Sequence, residues 1–279
     1  MKKTISMLLV LSMAGMLSGC AGKSTETTAA DTTAAESAAA AEETTEAAES
    51  TAAETTEADG ADGDVLNYEE YMAADLDTEV TIQAYVQAKQ AWWEDQATVY
   101  AQDQDGAYFI YNAACSQEDY DLLVPGTKIQ VTGYKSEWSG EVEIMDGTIQ
   151  VLEGEDTYVA EALDVTDLLG TDELIDHQNQ FVSFTGMTVE AAGQDENGND
   201  VAFLYNWDGS GTEGDDLYFN ASYNGETYTF TIESYLCDSS TEVYSAVEYL
   251  QIGQTIDMEG FLYWYEGVNP HITSVTVAE

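Results

Sequence analysis

The side chains able to do chemistry are of few kinds. His177 and His271 are the only histidines, and neither stands in a zinc spacing such as H-E-x-x-H. Cys115 and Cys237 form no C-x-x-C pair. There is no G-x-S-x-G, no P-loop, and no Cys/His pair with a local signature, so nucleophilic catalysis has no recognisable machinery. With 54 Asp and Glu residues in the chain, no catalytic carboxylate pair stands out. Two acidic turns, Asp195-Glu196-Asn197-Gly198-Asn199-Asp200 and the run from Asp208 to Asp216, gather oxygens in the way calcium sites do, but neither follows the EF-hand pattern. Acidic turns are ordinarily solvated loops. The expectation is therefore no enzyme, no cofactor and no metal, with calcium the one cation the composition would attract. What remains is aromatic. Trp92-Trp93, Trp138, Trp207 and Trp264 offer flat faces that stack on sugar rings, bases or peptide side chains.

Charge narrows the partners. Six lysines oppose the 54 acids, the formal net charge is −48, arginine is absent, and no basic residue follows Lys135. Phosphate recognition rests on Lys and Arg neutralising the backbone, so nucleic acid is disfavoured, as is a basic patch on anionic lipid. An apolar fraction of 44% with 18 Tyr, 7 Phe and 5 Trp supplies a packed core and excludes global disorder. Three cysteines are too few for a disulfide scaffold.

The chain opens with Met1-Lys2-Lys3 and an apolar run from Thr4 to Leu17, too short to span a bilayer as an ordinary helix and of the size of a signal h-region. It closes on Leu17-Ser18-Gly19-Cys20, which resembles the bacterial lipobox. That resemblance implies cleavage before Cys20, a diacylglyceryl group on its sulfur, and a protein held on the extracytoplasmic face of the cell membrane. Two acyl chains give stable anchoring where one would be marginal. The segment from Ala21 to Asp64 uses only Ala, Gly, Ser, Thr, Asp, Glu and Lys23. It lacks the apolar surface to offset ordering entropy and reads as a disordered tether. A lipobox followed by an acidic Ala/Thr/Glu tether is similar to a Gram-positive surface lipoprotein. The organisation expected is a signal peptide over 1–19, lipidated Cys20 and linker over 20–64, and folded domains over 65–156 and 157–279.

The folded part repeats itself. Pro125-Gly126-Thr127-Lys128-Ile129-Gln130-Val131-Thr132-Gly133 matches Ile252-Gly253-Gln254-Thr255-Ile256-Asp257-Met258-Glu259-Gly260, and each is followed by a tryptophan, Trp138 or Trp264, and a glycine, Gly140 or Gly267. Alternating runs such as 79–86 and 128–132 predict strands. In the first copy strands are expected over 80–91, 97–112 with a turn at Asp103-Gln104-Asp105-Gly106, and 128–152, with a helix over 116–123. The second copy predicts turns at 195–198 and Asn224-Gly225, a helix over 241–250, and a connector helix before it, started by Asp164-Val165-Thr166-Asp167. This order resembles the OB-fold, a five-stranded Greek-key barrel with a helix between strands three and four. The fold class expected is all-β with short helices, as two tandem OB-fold-like barrels.

In OB-folds ligands bind on the face of strands two and three, between the loops joining strands one–two and four–five. That resemblance makes Trp92, Trp93, Trp138, Tyr108 and Tyr111 candidate ligand residues of the first barrel, and Trp207 and Trp264 those of the second. The competing reading is that these rings close barrel ends or pack one barrel on the other. Lys89, Lys128 and Lys135 read as ordinary surface residues, and Cys115 and Cys237 as buried free thiols. The repeat further predicts Ile129, Val131, Ile256 and Met258 inside, Gln130, Thr132, Asp257 and Glu259 outside, and Gly133 and Gly260 at equivalent ends of strand four. The function expected is a non-enzymatic, lipid-anchored, monomeric binding or adaptor module whose unidentified ligand is a glycan, peptide or surface protein. The alternatives are an extracellular single-stranded nucleic-acid binder and a structural spacer with no ligand.

Overall fold

The computed structural model describes residues 64–152, 154 and 156–278; the expected signal peptide, Cys20 and most of the expected tether lie outside them. The described part begins with α1 (Tyr68–Ala73), closed at its start by a capping box in which Asn67 and Glu70 satisfy each other's backbone N–H groups. Strands β1 (Glu79–Lys89), β2 (Gln96–Gln102), β3 (Ala107–Ala114), β4 (Lys128–Trp138) and β5 (Glu141–Val151) then form a closed barrel in the order β1-β2-β3-β5-β4. Helix α2 (Gln117–Leu122), capped by Ser116, joins β3 to β4. This is the connectivity of the OB-fold.

The second half holds β6 (Leu163–Asp164), β7 (Phe181–Glu190), β8 (Gly193–Gln194), β9 (Asp200–Val201), β10 (Phe203–Tyr205), β11 (Leu217–Tyr223), β12 (Glu226–Ile232), β13 (Thr255–Phe261) and β14 (His271–Val277). Strand β7 pairs with both β11 and β13, so β7-β11-β12-β14-β13 closes a second ring with the connectivity of the first. Helix α3 (Glu242–Glu248), capped by Thr241, takes the place of α2. The second copy's extra length forms the β8–β9 hairpin and the edge strand β10. The connector is not the α-helix expected; it makes two 3₁₀ turns, Thr166–Leu168 and Asp172–His177. The Asp164 carboxylate accepts from the Thr166 backbone and hydroxyl, which holds the first of them.

Inside pointing follows the pleat. Val80, Ile82, Ala84 and Val86 are buried along β1, and Ile129 and Val131 along β4; Ile256 and Met258 match them in β13, while Asp257 and Glu259 are exposed. Gly133 pairs with Val80 and Gly260 with Val182, which puts the two glycines at one structural position. A Cβ on Gly133 would come within 2.8 Å of the Gly147 Cα, and one on Gly260 within 2.2 Å of the His271 carbonyl oxygen, so backbone approaches at both. Gly133 is not at a strand end, however: β5 bulges opposite it, and β4 runs on to Trp138. Lys135 is also misread as a surface residue. It lies on the inner side of β4, is 5% exposed, and donates to the Met72 and Ala74 carbonyls at the end of α1. Cys115 and Cys237 are free and buried, and burial pushes both thiols up to about 11.

The barrels are packed on each other through a core of their own. Tyr100 on β2 stacks on Phe261 of β13 with centroids 4.3 Å apart, and Phe109 and Phe181 pack beside them. The Tyr100 hydroxyl meets His271 Nδ1 at 2.6 Å. Gln102 Oε1 accepts from the Phe181 N–H, Gln178 donates to the Gly140 carbonyl, and Asn179 donates to the Val142 carbonyl. Glu141, fully buried, accepts from the Trp264 N–H at 2.8 Å.

Candidate functional site

An aromatic cleft lies where the β2–β3 face of the first barrel meets the second. Three local features build it. The first is a tight hairpin between β1 and β2: Trp93 and Gln96 exchange backbone hydrogen bonds, and Glu94 and Asp95 between them have φ of 48° and 61°. Positive φ at both central residues is the geometry of a type I′ turn, adopted here without the usual Asn-Gly. The turn presents Trp93, 64% exposed, at the mouth of the cleft. The second feature is the outer face of β3. Phe109 and Tyr111 alternate with Tyr108 and Ile110, which point into the barrel. The third is the segment after β12, where Glu233 and Tyr235 come across from the second barrel; the Ala91 N–H donates to the Tyr235 carbonyl at 2.7 Å and ties the two walls together.

The cleft holds about 420 Å³. Its floor is a continuous row of rings: Tyr111 and Phe109 lie 6.2 Å apart, Phe109 and Tyr263 5.2 Å apart edge to face, and Tyr263 and His271 4.3 Å apart and stacked. Gln90, Gln96, Thr98 and Asn112 add amide and hydroxyl groups. Glu233 is the one carboxyl. Its oxygens accept from the Tyr235 and Leu236 N–H groups at 3.2 and 2.8 Å, and burial, with Asp216 nearby, pushes it up to about 7. His271 is held neutral; burial lowers it to about 3. No lysine lines the cleft. Lys89 donates to the Tyr120 carbonyl and covers its ring, and the Lys128 ammonium lies 5.8 Å over the Tyr85 ring.

The residues singled out in the sequence are thus dispersed. Trp93 and Tyr111 line the cleft together. Trp92 is half-buried, its Nε1 donating to the Cys115 carbonyl at 3.1 Å. Tyr108 is not a ligand residue: it is fully buried in the barrel core, its hydroxyl on Asp103. Trp138 is 59% exposed but is not among the residues that line this cleft. Trp264 packs against Gly140 at the contact between the barrels, where a Cβ on that glycine would lie 2.8 Å from its ring. Trp207, 76% exposed, edges a shallower cleft with Tyr218, Asn220, Thr229 and Tyr265, on the equivalent strand-two and strand-three face of the second barrel. Phe109 was open to detection as the alternate of Tyr111 on one strand face; Tyr263, Glu233 and Tyr235 carry no local signal, because only the docking of the barrels brings them to the site.

The acidic turns hold their carboxylates within the loops. Asp195 accepts from the Asn197 and Asn199 N–H groups, and Asp208 from that of Ser210. Among the described residues no group of three or more His, Cys, Asp or Glu side chains is placed to hold a metal ion.

No protein-family model matches the chain, and no curated protein matches it. Among solved structures it is similar to the HINb domain of p204, at 10% identity and a TM-score of 0.34, over 74% of this chain and 100% of that one. It is similar to a murine DNA-binding protein bound to double-stranded DNA, at 10% identity and a TM-score of 0.34, over 71% of this chain and 96% of that one. It is also similar to a replication protein A heterotrimer bound to single-stranded DNA, at 13% identity and a TM-score of 0.29, over 72% of this chain and 49% of that one. These are distant similarities, and the nucleic acid belongs to those proteins.

Proposed function

We propose that this chain is a non-enzymatic binding module, tethered to the outer face of a membrane through Cys20, that receives its ligand in the cleft between its two barrels. The observation that carries the reading is the cleft against the β2–β3 face, floored by the rings of Tyr111, Phe109, Tyr263 and His271, with Trp93 held out on a two-residue turn. A pure spacer has no use for a 64%-exposed tryptophan over a 420 Å³ aromatic cleft. The rings and amides suit a glycan or a peptide segment. The test is binding to arrayed glycans, peptides and cell-surface extracts, with Trp93→Ala as the control. The reading expects binding that Trp93→Ala weakens at least about tenfold while the unfolding midpoint is unchanged. Binding that survives this substitution undiminished would remove the cleft from the function.

The second reading is single-stranded nucleic acid, for which an aromatic row on this face is a suitable stacking platform. The matched proteins bound to DNA raise the same question, at a similarity too distant to answer it. Charge opposes this reading: the described lysines are engaged with carbonyls or rings elsewhere, and the cleft contributes a carboxyl. Fluorescence anisotropy with labelled oligothymidylate decides between the two. A micromolar dissociation constant at physiological salt with a steep negative salt slope would make nucleic acid the function.

A further inference from the structure

We propose that the inter-barrel cleft selects an organic cation, a protonated amine or quaternary ammonium group seated against the rings with Glu233 as its counter-charge. This rests on the reading of the cleft as the binding site and names the chemistry it takes. Ring faces carry the negative lobe of the aromatic quadrupole, and a cation within about 6 Å of a ring centroid is attracted to it. The cleft gathers aromatic rings from both barrels, with Trp93 and Tyr235, 64% and 61% exposed, at its mouth. An ordinary protein surface would offer a competing lysine; here Lys89 covers Tyr120 and Lys135 is buried against α1. His271 cannot supply a positive charge, because its Nδ1 is engaged with the Tyr100 hydroxyl and burial keeps the ring neutral.

Glu233 is the electrostatic partner. Both of its oxygens are oriented by backbone N–H groups, so its carboxyl is fixed before any ligand arrives. Around it stand Asp216, whose carboxylate accepts from the Ser234 N–H, and the groups of Tyr100, Tyr218, Tyr263 and Cys237, all pushed toward their neutral forms by burial. Neutral His271 completes the set. Of the residues that line the cleft, Glu233 is therefore the one that answers to a cation. Glu233 is pushed up to about 7, so an arriving cation favours its ionised form and binding releases a proton near neutrality. Affinity should rise between pH 6 and pH 8.

The experiment uses the full chain in 150 mM salt and follows the Trp93 indole resonance by NMR. The probes are choline, its neutral isostere 3,3-dimethyl-1-butanol, its anionic counterpart 3,3-dimethylbutanoate, and butylammonium. Choline or butylammonium should shift the Trp93 resonance, and which of them does so more strongly distinguishes a quaternary from a primary amine. The neutral isostere should bind at least about tenfold more weakly and the carboxylate not at all. Glu233→Gln should weaken the cations about tenfold and leave the alcohol unchanged. Equal binding of choline and the alcohol would overturn the cation inference and leave the cleft as the binding site. So would a cation shift that persists unchanged in Glu233→Gln, since that is the signature of a diffuse counter-ion around an acidic chain. No shift by either cation, in a protein whose Trp93 still responds to a glycan or peptide, would also overturn it.

Discussion

Glu141→Gln should stabilise the protein, and by an amount that depends on pH. Glu141 is fully buried at the contact between the barrels. One oxygen, Oε2, accepts from the Trp264 N–H at 2.8 Å, while Oε1 has no partner. Asn179, within hydrogen-bonding reach of this carboxyl, donates its amide to the Val142 carbonyl and leaves its own Oδ1 without a partner. Two buried acceptors are thus left without a partner. Burial is the main cause that pushes Glu141 from 4.5 up to about 8, with Glu143, itself pushed up to about 7, adding to it. A carboxyl that holds its proton more tightly when folded costs nothing below the unfolded value. The cost grows as pH climbs from 4.5 and levels off above 8. At about 1.4 kcal/mol per unit it reaches roughly 3 kcal/mol at pH 7. Glutamine keeps an oxygen to accept from the Trp264 N–H and carries no charge, so it mimics the protonated acid at every pH. Glu141→Gln should therefore match the parent near pH 4.5 and exceed it by roughly 3 kcal/mol at pH 7, about 6–12 °C in melting temperature for a folded region of this size. Urea unfolding followed by tryptophan fluorescence at a series of pH values measures the difference, and comparing the two proteins at each pH cancels the general repulsion of an acidic chain. A difference that is flat with pH, or a less stable variant, would refute the protonated-carboxyl argument.

The other predictions are shorter. Ile129→Ala and Ile256→Ala, each opening a fully buried site in one barrel, should each cost about 2–5 kcal/mol in urea unfolding. Lys135→Met should leave the Met72 and Ala74 carbonyls unpaired and cost about 1–3 kcal/mol in the same assay, a loss that surface lysines such as Lys128 would not show. If Cys20 carries the anchor, Cys20→Ala should move the protein from the detergent phase to the aqueous phase; unchanged partitioning would end the lipoprotein reading.

The tandem barrels were legible because duplication wrote one pattern twice. Ile129, Val131 and Gly133 recur as Ile256, Met258 and Gly260, and the structure gives the pairs matching places. What lies between the barrels was harder to see. Strand β2 is buried on both faces, with Ala97, Val99 and Ala101 in its own barrel and Thr98 and Tyr100 outside it, so its run of apolar residues shows no alternation from which to choose a side. Tyr108 and Tyr111 were grouped by type, although an odd spacing along a strand sends them to opposite faces. Lysine is rarely buried, so the sequence places Lys135 at the surface; the two carbonyls ending α1 supply the partners that its burial requires. Trp138 looked like a neighbour of Trp93 only under the assumption that both loops border an open face.

That face is not open, and this gives the site its character. The first barrel spends part of its β2–β3 surface, through Tyr100 and Phe109, on docking against Phe261 of the second barrel. The remainder, with Thr98 and Tyr111, becomes one wall of a cleft whose other wall, Glu233 and Tyr235, belongs to the sister barrel. The equivalent surface of the second barrel, with Tyr218, Asn220 and Thr229, carries instead the exposed Trp207 of its insertion. Two barrels with one connectivity thus end with different faces, because a linear tandem lets the second cover the first without being covered in the same way itself. The carboxyl that sets the cleft's charge comes from the barrel that lacks the Trp93 turn. If the cleft is the binding site proposed above, selectivity resides at the seam, and a substitution that loosened the Tyr100–His271 contact should alter ligand binding without touching a residue of the Trp93 turn.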